Sequence, residues 1–326
     1  MSAARARARA RAGEAATAVD LTAAVGSLRL PNPVMTAAGT AGHGAELGAY
    51  LDLASLGAVV VKSLAAFVWA GNPPPRVCPV PGGMLNSVGL QGPGVENWAR
   101  DELPMLERAG ARVVVSVWGR RVDEFARAAE LVAAIAGGER SIVAVELNVS
   151  CPNLEDRSRM FAHSAVATSE AVAACRARLP GVPLWAKLSP NTPDLVAIAG
   201  AALGAGADGL TLVNTVLALM IDAATRTPTL GSVGGGLSGR AVHAVALRAV
   251  YECRRAFPDA PIVGVGGIED GEGAVRMLMA GADAVQVGTA TLADPRAPAR
   301  VLAELGAWLE REGVRSVKEI TGVAQR

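Results

Sequence analysis

The chain has 326 residues, 51% hydrophobic and 19% charged with 37 glycines, a composition that provides an Ala/Gly-rich core and excludes an intrinsically disordered chain. A formal charge of +1 and only 3% aromatics leave no field to draw nucleic acid or an anionic membrane, and no platform on which bases could stack. The cysteines, at 78, 151, 175 and 253, are widely spread without a CxxC pair, which argues against a disulfide framework, a structural zinc site and an iron–sulfur cluster in this chain, and sets the expectation of a reducing, cytoplasmic protein.

Residues 1–18 alternate Ala and Arg and have no apolar stretch long enough for a signal peptide or membrane anchor, so a disordered tail is expected there and one domain over 19–326. Eight short apolar runs follow: "NPVMTAA" (32–38), "GAVVVKS" (57–63), "RVVVSVW" (112–118), "IVAVELN" (142–148), "PLWAKLS" (183–189), "GLTLVN" (209–214), "PIVGVGG" (261–267) and "AVQVGT" (284–289). Each leads into polar or Gly-rich residues and then a stretch with helical spacing, which is the βαβ signature and predicts a closed (β/α)₈ barrel. "AGADGLTLVNT" (205–215) and "AGADAVQVGTA" (280–290) are near copies, with "RAGARVVVSV" (108–117) a looser one, as repeated units require. The alternative is an open doubly wound sheet. Against it, "GGGLSG" (234–239) fits GxGxxG but does not follow a strand. Residues 64–93 form an excursion after the second strand that is expected to contain a hairpin.

Active sites of such barrels lie at the C-terminal strand ends. Those ends are Ala38, Lys62, Ser116, Asn148, Lys187, Asn214, Gly266 and Gly288. Two lysines converging with amide and hydroxyl groups suit an anion and a heterocycle. "GVGGIEDG" (264–271) and "VGTATLADP" (287–295) supply glycine N–H groups where barrels usually bind phosphate, although glycine there also simply makes tight turns. Cys151, in "ELNVSCPN", has three readings. A metal ligand would need partners, and His43, His163 and His243 are isolated. A buried hydrophobe and an accessible proton acceptor both remain open, with access expected after a strand end.

At these residues the sequence resembles the dihydroorotate dehydrogenases, flavin enzymes of pyrimidine synthesis, from about Val19 to Pro295. The carrying motifs are "NPVMTAAGT", "VVVKS", "GNPPPRV", "PGGMLNSVGLQGPG", "LNVSCPN", "AKLSPN", "GLTLVNT", "GGLSG", "GVGGI" and "VGTA". The cysteine in "NVSCPN" is similar to the soluble class, and "PGGMLNSVGLQGPG" is more similar to its NAD-linked (class 1B) branch. The resemblance implies FMN at the barrel mouth, with its phosphate on Gly266, Gly267, Gly288 and Thr289 and further contacts from Ala38, Lys62, Ser63, Ser116, Asn148, Lys187, Val213 and Gly239. It implies that dihydroorotate or orotate is held by Lys62, by Asn86, Ser87, Val88, Gly89 and Leu90, and by Asn148, Asn153, Asn214 and Thr215. Cys151 would be the base that takes the C5 proton, Lys187 would stabilise the reduced ring, and Lys62 would balance the substrate carboxylate. A homodimer is expected, with electrons passing to a separate subunit bearing FAD and a two-iron cluster. The chain departs from the family pattern at Gly92, at Ser116, at Arg240 and His243, and through "LEDRSRMFAHS" (154–164). A relative acting on another dihydropyrimidine would keep the flavin residues and alter that last segment.

Overall fold

The computed structural model describes residues 19–136, 141–153 and 159–326; the expected tail over 1–18 lies outside the described residues. All eight apolar runs form strands: β1 (Val34–Thr36), β2 (Val59–Val60), β3 (Val113–Val117), β4 (Ile142–Asn148), β5 (Leu184–Leu188), β6 (Gly209–Leu212), β7 (Ile262–Val265) and β8 (Ala284–Val287). They pair in parallel in the order β1-β8-β7-β6-β5-β4-β3-β2. A parallel bridge between Met35 and Ala58 returns β2 to β1, with Gly57 N–H donating to Val34 O at 2.8 Å. The strands therefore close on themselves, as expected of a (β/α)₈ barrel.

Closure forces alternate residues inward. The outward faces, such as Val113, Val115 and Val117 or Leu184, Ala186 and Leu188, pack under the helices in the larger core. The inward faces form a second, lower cluster of Met35, Ala58, Val60, Val114, Ala144, Trp185, Val263 and Ala284. An N-terminal hairpin, Ala23–Val25 with Leu28–Leu30, plugs that end through Ala23, Val25 and Leu30. The helices around the barrel follow the same logic. In Val122–Ile135, the buried Phe125, Ala128, Ala129 and Val132 fall at i, i+3, i+4 and i+7, a single stripe.

The sequence repeat has a structural counterpart. Arg176 donates to Gly206 O at 3.1 Å and pairs with Asp208 at 2.9 Å, while Asp208 also accepts from Leu184 N–H at 2.8 Å. Arg254 does the same with Gly281 O at 2.9 Å and Asp283 at 2.8 Å, and Asp283 accepts from Ile262 N–H at 2.8 Å. In each "AGAD" the glycine has positive φ and the aspartate latches the strand that follows it to the start of the strand before, β6 to β5 and β8 to β7.

The excursion after β2 contains the expected hairpin, Val77–Val80 with Gly83–Asn86. A second excursion, after β6, adds strands Gly235–Ser238 and Val216–Ala218, making a four-stranded antiparallel sheet. "GGGLSG" is thus largely a strand of this sheet and not a dinucleotide turn. Both excursions leave from C-terminal strand ends, so the sheet stands at the barrel mouth.

The two latches differ in burial: the side chains of Arg254 and Asp283 are 12% and 24% exposed, those of Arg176 and Asp208 26% and 46%. Breaking a largely buried pair leaves a charge without its partner and costs about 3–5 kcal/mol, whereas an exposed pair contributes about 1 kcal/mol or less. Asp283→Ala is therefore expected to lower unfolding free energy in urea by at least twice as much as Asp208→Ala; equal losses would contradict the latch assignment.

Candidate active site

Above the apolar layer the same inward faces turn polar. Two residues beyond Ala144 stands Glu146, and two beyond that Asn148; Trp185 is followed by Lys187, Val114 by Ser116, Gly209 by Thr211, Ala284 by Gln286. Glu146, Ser116, Thr211 and Gln286 are fully buried and Lys187 nearly so. Lys187 Nζ donates to Glu146 Oε1 and Gln286 Oε1, both at 3.3 Å, and Gln286 Nε2 donates to Glu146 Oε2 at 2.7 Å. Lys187 was expected at the mouth, but the sequence reading missed its two partners. The signal was available: both sit on the inward alternation of strands whose other inward residues are apolar or at the strand end.

Nearer the mouth a relay of hydroxyls and amides crosses four strand ends. Ser116 Oγ and Ser63 Oγ are 2.9 Å apart; Asn148 Nδ2 donates to Ser63 Oγ at 3.2 Å. Asn214 Nδ2 donates to Asn148 Oδ1 at 3.2 Å, and Asn214 Oδ1 accepts from Thr215 N–H at 2.8 Å. Ser63, Ser116, Asn148, Asn214 and Thr215 are thus brought together as expected.

On one side of this relay Lys62 Nζ donates to Gln91 O at 2.6 Å. Burial, with Arg76 adding to it, pulls the Lys62 ammonium down to about 8. Burial, again with a nearby cation, here Lys62, pulls His43 down to about 4, so this imidazole is neutral. The segment Asn86 to Leu90 is held in place by residues to which the sequence reading gave no role. Asn72 Nδ2 donates to Ser87 Oγ at 2.8 Å, and Trp69 Nε1 to Gly89 O at 2.9 Å. Arg76 reaches Asn72 O at 2.6 Å, Ala70 O at 3.0 Å and the Gln91 side chain. Asn86 Nδ2 donates to Gly236 O at 3.3 Å, tying the segment to the second excursion.

On the other side four loops meet. A Cβ on Gly267 (φ +65) would lie 2.9 Å from Gly239 O, one on Gly239 (φ +96) 3.5 Å from the Thr289 methyl, and one on Gly288 3.4 Å from the Ala37 methyl. At Gly267, and at Gly239, where a Cβ would also lie 2.6 Å from Gly83 Cα, the crowding and the φ values together demand glycine, whereas the contact at Gly288 is an ordinary one. The N–H groups of Gly267 and Gly288 find no acceptor among the described residues. His243 Nδ1 donates to Gly266 O at 2.9 Å and backs the turn. Val213 is buried beside β7, its N–H donating to Val265 O at 2.9 Å.

Comparison with known proteins agrees with this arrangement. Residues 20–309 match the family model described as dihydroorotate dehydrogenase. The chain belongs to the dihydroorotate dehydrogenase family. It is 46% identical over 308 residues (94% of this chain, 98% of the relative) to a protein from Desulforudis audaxviator named dihydroorotate dehydrogenase B (NAD(+)), catalytic subunit. Proteins with the same name from Alkaliphilus metalliredigens and Bacteroides thetaiotaomicron are 42% and 40% identical over 306 residues, covering 94% of this chain and 99% of each relative.

The expectation that Cys151 is accessible is not met. The side chain is fully buried, and its Sγ–H donates to Gly119 O at 2.9 Å and Asn148 O at 3.3 Å. Burial pushes the thiol up to about 12. The physical reason is the turn after Asn148: Ser150 N–H donates to Asn148 Oδ1, and Phe161 and Ala162 N–H donate back to Cys151 O and Val149 O, which folds the cysteine under the chain. Beyond it Pro152–Asn153 pairs antiparallel with Arg159–Met160. The Asn153 side chain and residues 154–158, the first five of the eleven in "LEDRSRMFAHS" (154–164), lie outside the described residues.

Thiol labelling tests this placement. Cys175 and Cys253 are also buried, while Cys78 is half-buried on the hairpin. With a thiol-specific alkylator at neutral pH, followed by peptide mass mapping, Cys78 is expected to react at least tenfold faster than Cys151 in the protein free of substrate; equal rates would contradict it.

Proposed function

We propose that the chain oxidises dihydroorotate to orotate with FMN bound across the barrel mouth. The observation that carries this reading is a barrel whose interior turns from apolar to polar just below the mouth and ends in one buried ammonium, a crossing amide relay and a glycine-only corner. The residues suit a flavin mononucleotide. The uncommitted N–H groups of Gly267 and Gly288, with Gly266 and Thr289, would hold the phosphate. Ala38, Ser63, Asn148, Val213 and Gly239 would line the ring, and Lys187 would face it; Ser116 would act through Ser63. Thr211 Oγ1, buried with no partner beside Lys187, is a further polar atom for a ligand to meet.

When bound, the flavin supplies the acceptor for the hydride leaving C6 of the substrate. The chain's own groups do the rest. Lys62 meets the substrate carboxylate, while the Asn86 to Leu90 segment, Asn153, Asn214 and Thr215 orient the ring. Asn148 touches both ligands. Lys187 provides fixed positive charge where the reduced ring becomes anionic, stabilisation that needs no reorganisation at the moment of reaction. Cys151 takes the C5 proton. It can do so only as the thiolate, so its own proton must first pass to solvent and its bonds to Gly119 O and Asn148 O be given up, which ties base catalysis to a rearrangement of the turn after Asn148.

The relatives are named as catalytic subunits, and we extend this to a partner subunit bearing FAD and an iron–sulfur cluster, to a homodimer of this chain and to a cytoplasmic setting. Among the described residues no group of three or more His, Cys, Asp or Glu could hold a metal, and no helix is long and apolar enough to cross a membrane.

Anaerobic titration decides the function. Dihydroorotate is expected to bleach the flavin absorbance of the purified protein. A protein that takes up no flavin would overturn the whole reading; bleaching by another dihydropyrimidine alone would overturn only the substrate, in favour of the reading that rests on residues 154–164. Cys151→Ala should retain FMN and slow reduction by about 10²–10⁴-fold, the usual range for a general base.

Lys62 gives a pH dependence. Its ammonium is the form that binds a carboxylate, and it is lost as pH rises through about 8. Orotate affinity, read from the flavin spectrum, should therefore be constant below that pH and fall above it, and the fall should be absent in Lys62→Met, which binds weakly throughout. A flat profile in the unaltered protein would contradict the assignment.

A further inference from the structure

The mechanism above uses the charge of Lys187 and leaves Glu146 without a task. Yet this carboxylate is the most completely enclosed charge of the barrel interior. Both of its oxygens are engaged, Oε1 by Lys187 and Oε2 by Gln286, and Gln286 Oε1 accepts from the same ammonium. Three strands, β4, β5 and β8, thus contribute to one closed ring of side chains. Taking two ions out of water costs several kcal/mol for each, and apolar replacements of such pairs are often as stable or more so. The barrel shows the apolar solution one level down, where the same faces of the same strands carry Ala144, Trp185 and Ala284. Stability alone does not account for the pair.

Its orientation points to the mouth. Lys187 lies level with Asn148, and Trp185 with Glu146, so the lysine backbone is one inward step nearer the ligand. The remaining exposure belongs to the lysine, 7% of its side chain against none of the glutamate's. Of the other inward positions at this height, β2 ends in Lys62, the only further titratable group; β1, β3, β6 and β7 present Ala37, Ser116, Thr211 and Val265. His243 reaches Gly266 O from the helix that follows β6.

We propose that Glu146 is a positioning residue for the flavin: paired with Lys187 and clamped by Gln286, it keeps the ammonium charged and at fixed height beneath the ring in both redox states. The inference rests on the flavin seat described above. With Glu146 in place, hydride transfer from substrate brings two electrons to the ring and Lys187 exchanges no proton. Without it the buried ammonium has no compensating charge while the ring is neutral, gives its proton to solvent, and takes one back when the ring becomes anionic.

The test is the flavin midpoint potential as a function of pH in Glu146→Gln. One extra proton per two electrons steepens the slope by about 30 mV per pH unit, the two-electron equivalent of a tenfold change. That increment should vanish in the double variant Glu146→Gln with Lys187→Met, and Glu146→Asp should restore the original slope. A Glu146→Gln protein with the original slope would overturn the proposal, whatever its stability. Should that variant not fold, ¹⁵N NMR of the Lys187 Nζ in the unaltered chain, with or without flavin, is the second measurement. A three-proton ammonium held by Glu146 and Gln286 is expected, and a neutral amine would overturn the proposal. Failure to take up flavin would overturn the seat and this proposal with it, whereas a flavin-loaded Glu146→Gln protein with the original slope would overturn this proposal alone.

Discussion

Two-residue alternation inside a closed parallel barrel is the constraint on which everything at the mouth depends. Each strand must turn every second side chain inward, into a space that neither helix nor solvent reaches, and the choice of residue at each inward step sets what that level can do. Here the lower step is Ala, Val, Met and Trp, plugged by the N-terminal hairpin, and the upper step holds Glu146, Lys187 and Gln286. The charges are tolerable at that height because each is answered within the same level. Beside them, the amides of Asn148 and Asn214 and the hydroxyls of Ser63 and Ser116 answer one another in the same way.

The scaffold also explains why the ligand-facing segments come from such distant parts of the chain. The excursions after β2 and β6 are joined by backbone pairing of Gly83–Asn86 with Gly235–Ser238, and that pairing sets the Asn86 to Leu90 segment and Gly239 over one opening. Close approach is a condition of the arrangement: a side chain at Gly236 would run into that of Thr215, and one at Gly239 into the backbone of Gly83. Asn72 and Trp69 then fix the segment by donating to the Ser87 hydroxyl and the Gly89 carbonyl, with Arg76 bracing Asn72 from behind.

Much of this was legible in the sequence, for a physical reason. Strands buried on both faces read as continuous apolar runs, and all eight of them were visible in this way, while the hairpin in the first excursion was marked by the prolines and glycines of residues 64–93. The pairing between the two excursions was not, because "GGGLSG" has no alternating pattern and its register is set by a partner about 150 residues away. Strand-end polar residues were found because they interrupt apolar runs; Glu146 and Gln286 interrupt them too, but in mid-strand, where their significance appears only once the inward faces of β4, β5 and β8 are seen to meet. Cys151 shows the opposite limit. Its place after a strand end suggested access, whereas the backbone bonds from Ser150, Phe161 and Ala162 that fold it under the chain are long-range or local details that residue types do not encode.

The account's central claim is that the polar inner level of the barrel is the seat of a flavin. A crystal structure of the protein with FMN and orotate tests it most directly. The account predicts the ring edge within hydrogen-bond distance of Lys187 Nζ, the phosphate on the N–H groups of Gly267 and Gly288, and the orotate carboxylate at Lys62. A flavin bound elsewhere, with Lys187 still contacting only Glu146 and Gln286, would contradict it.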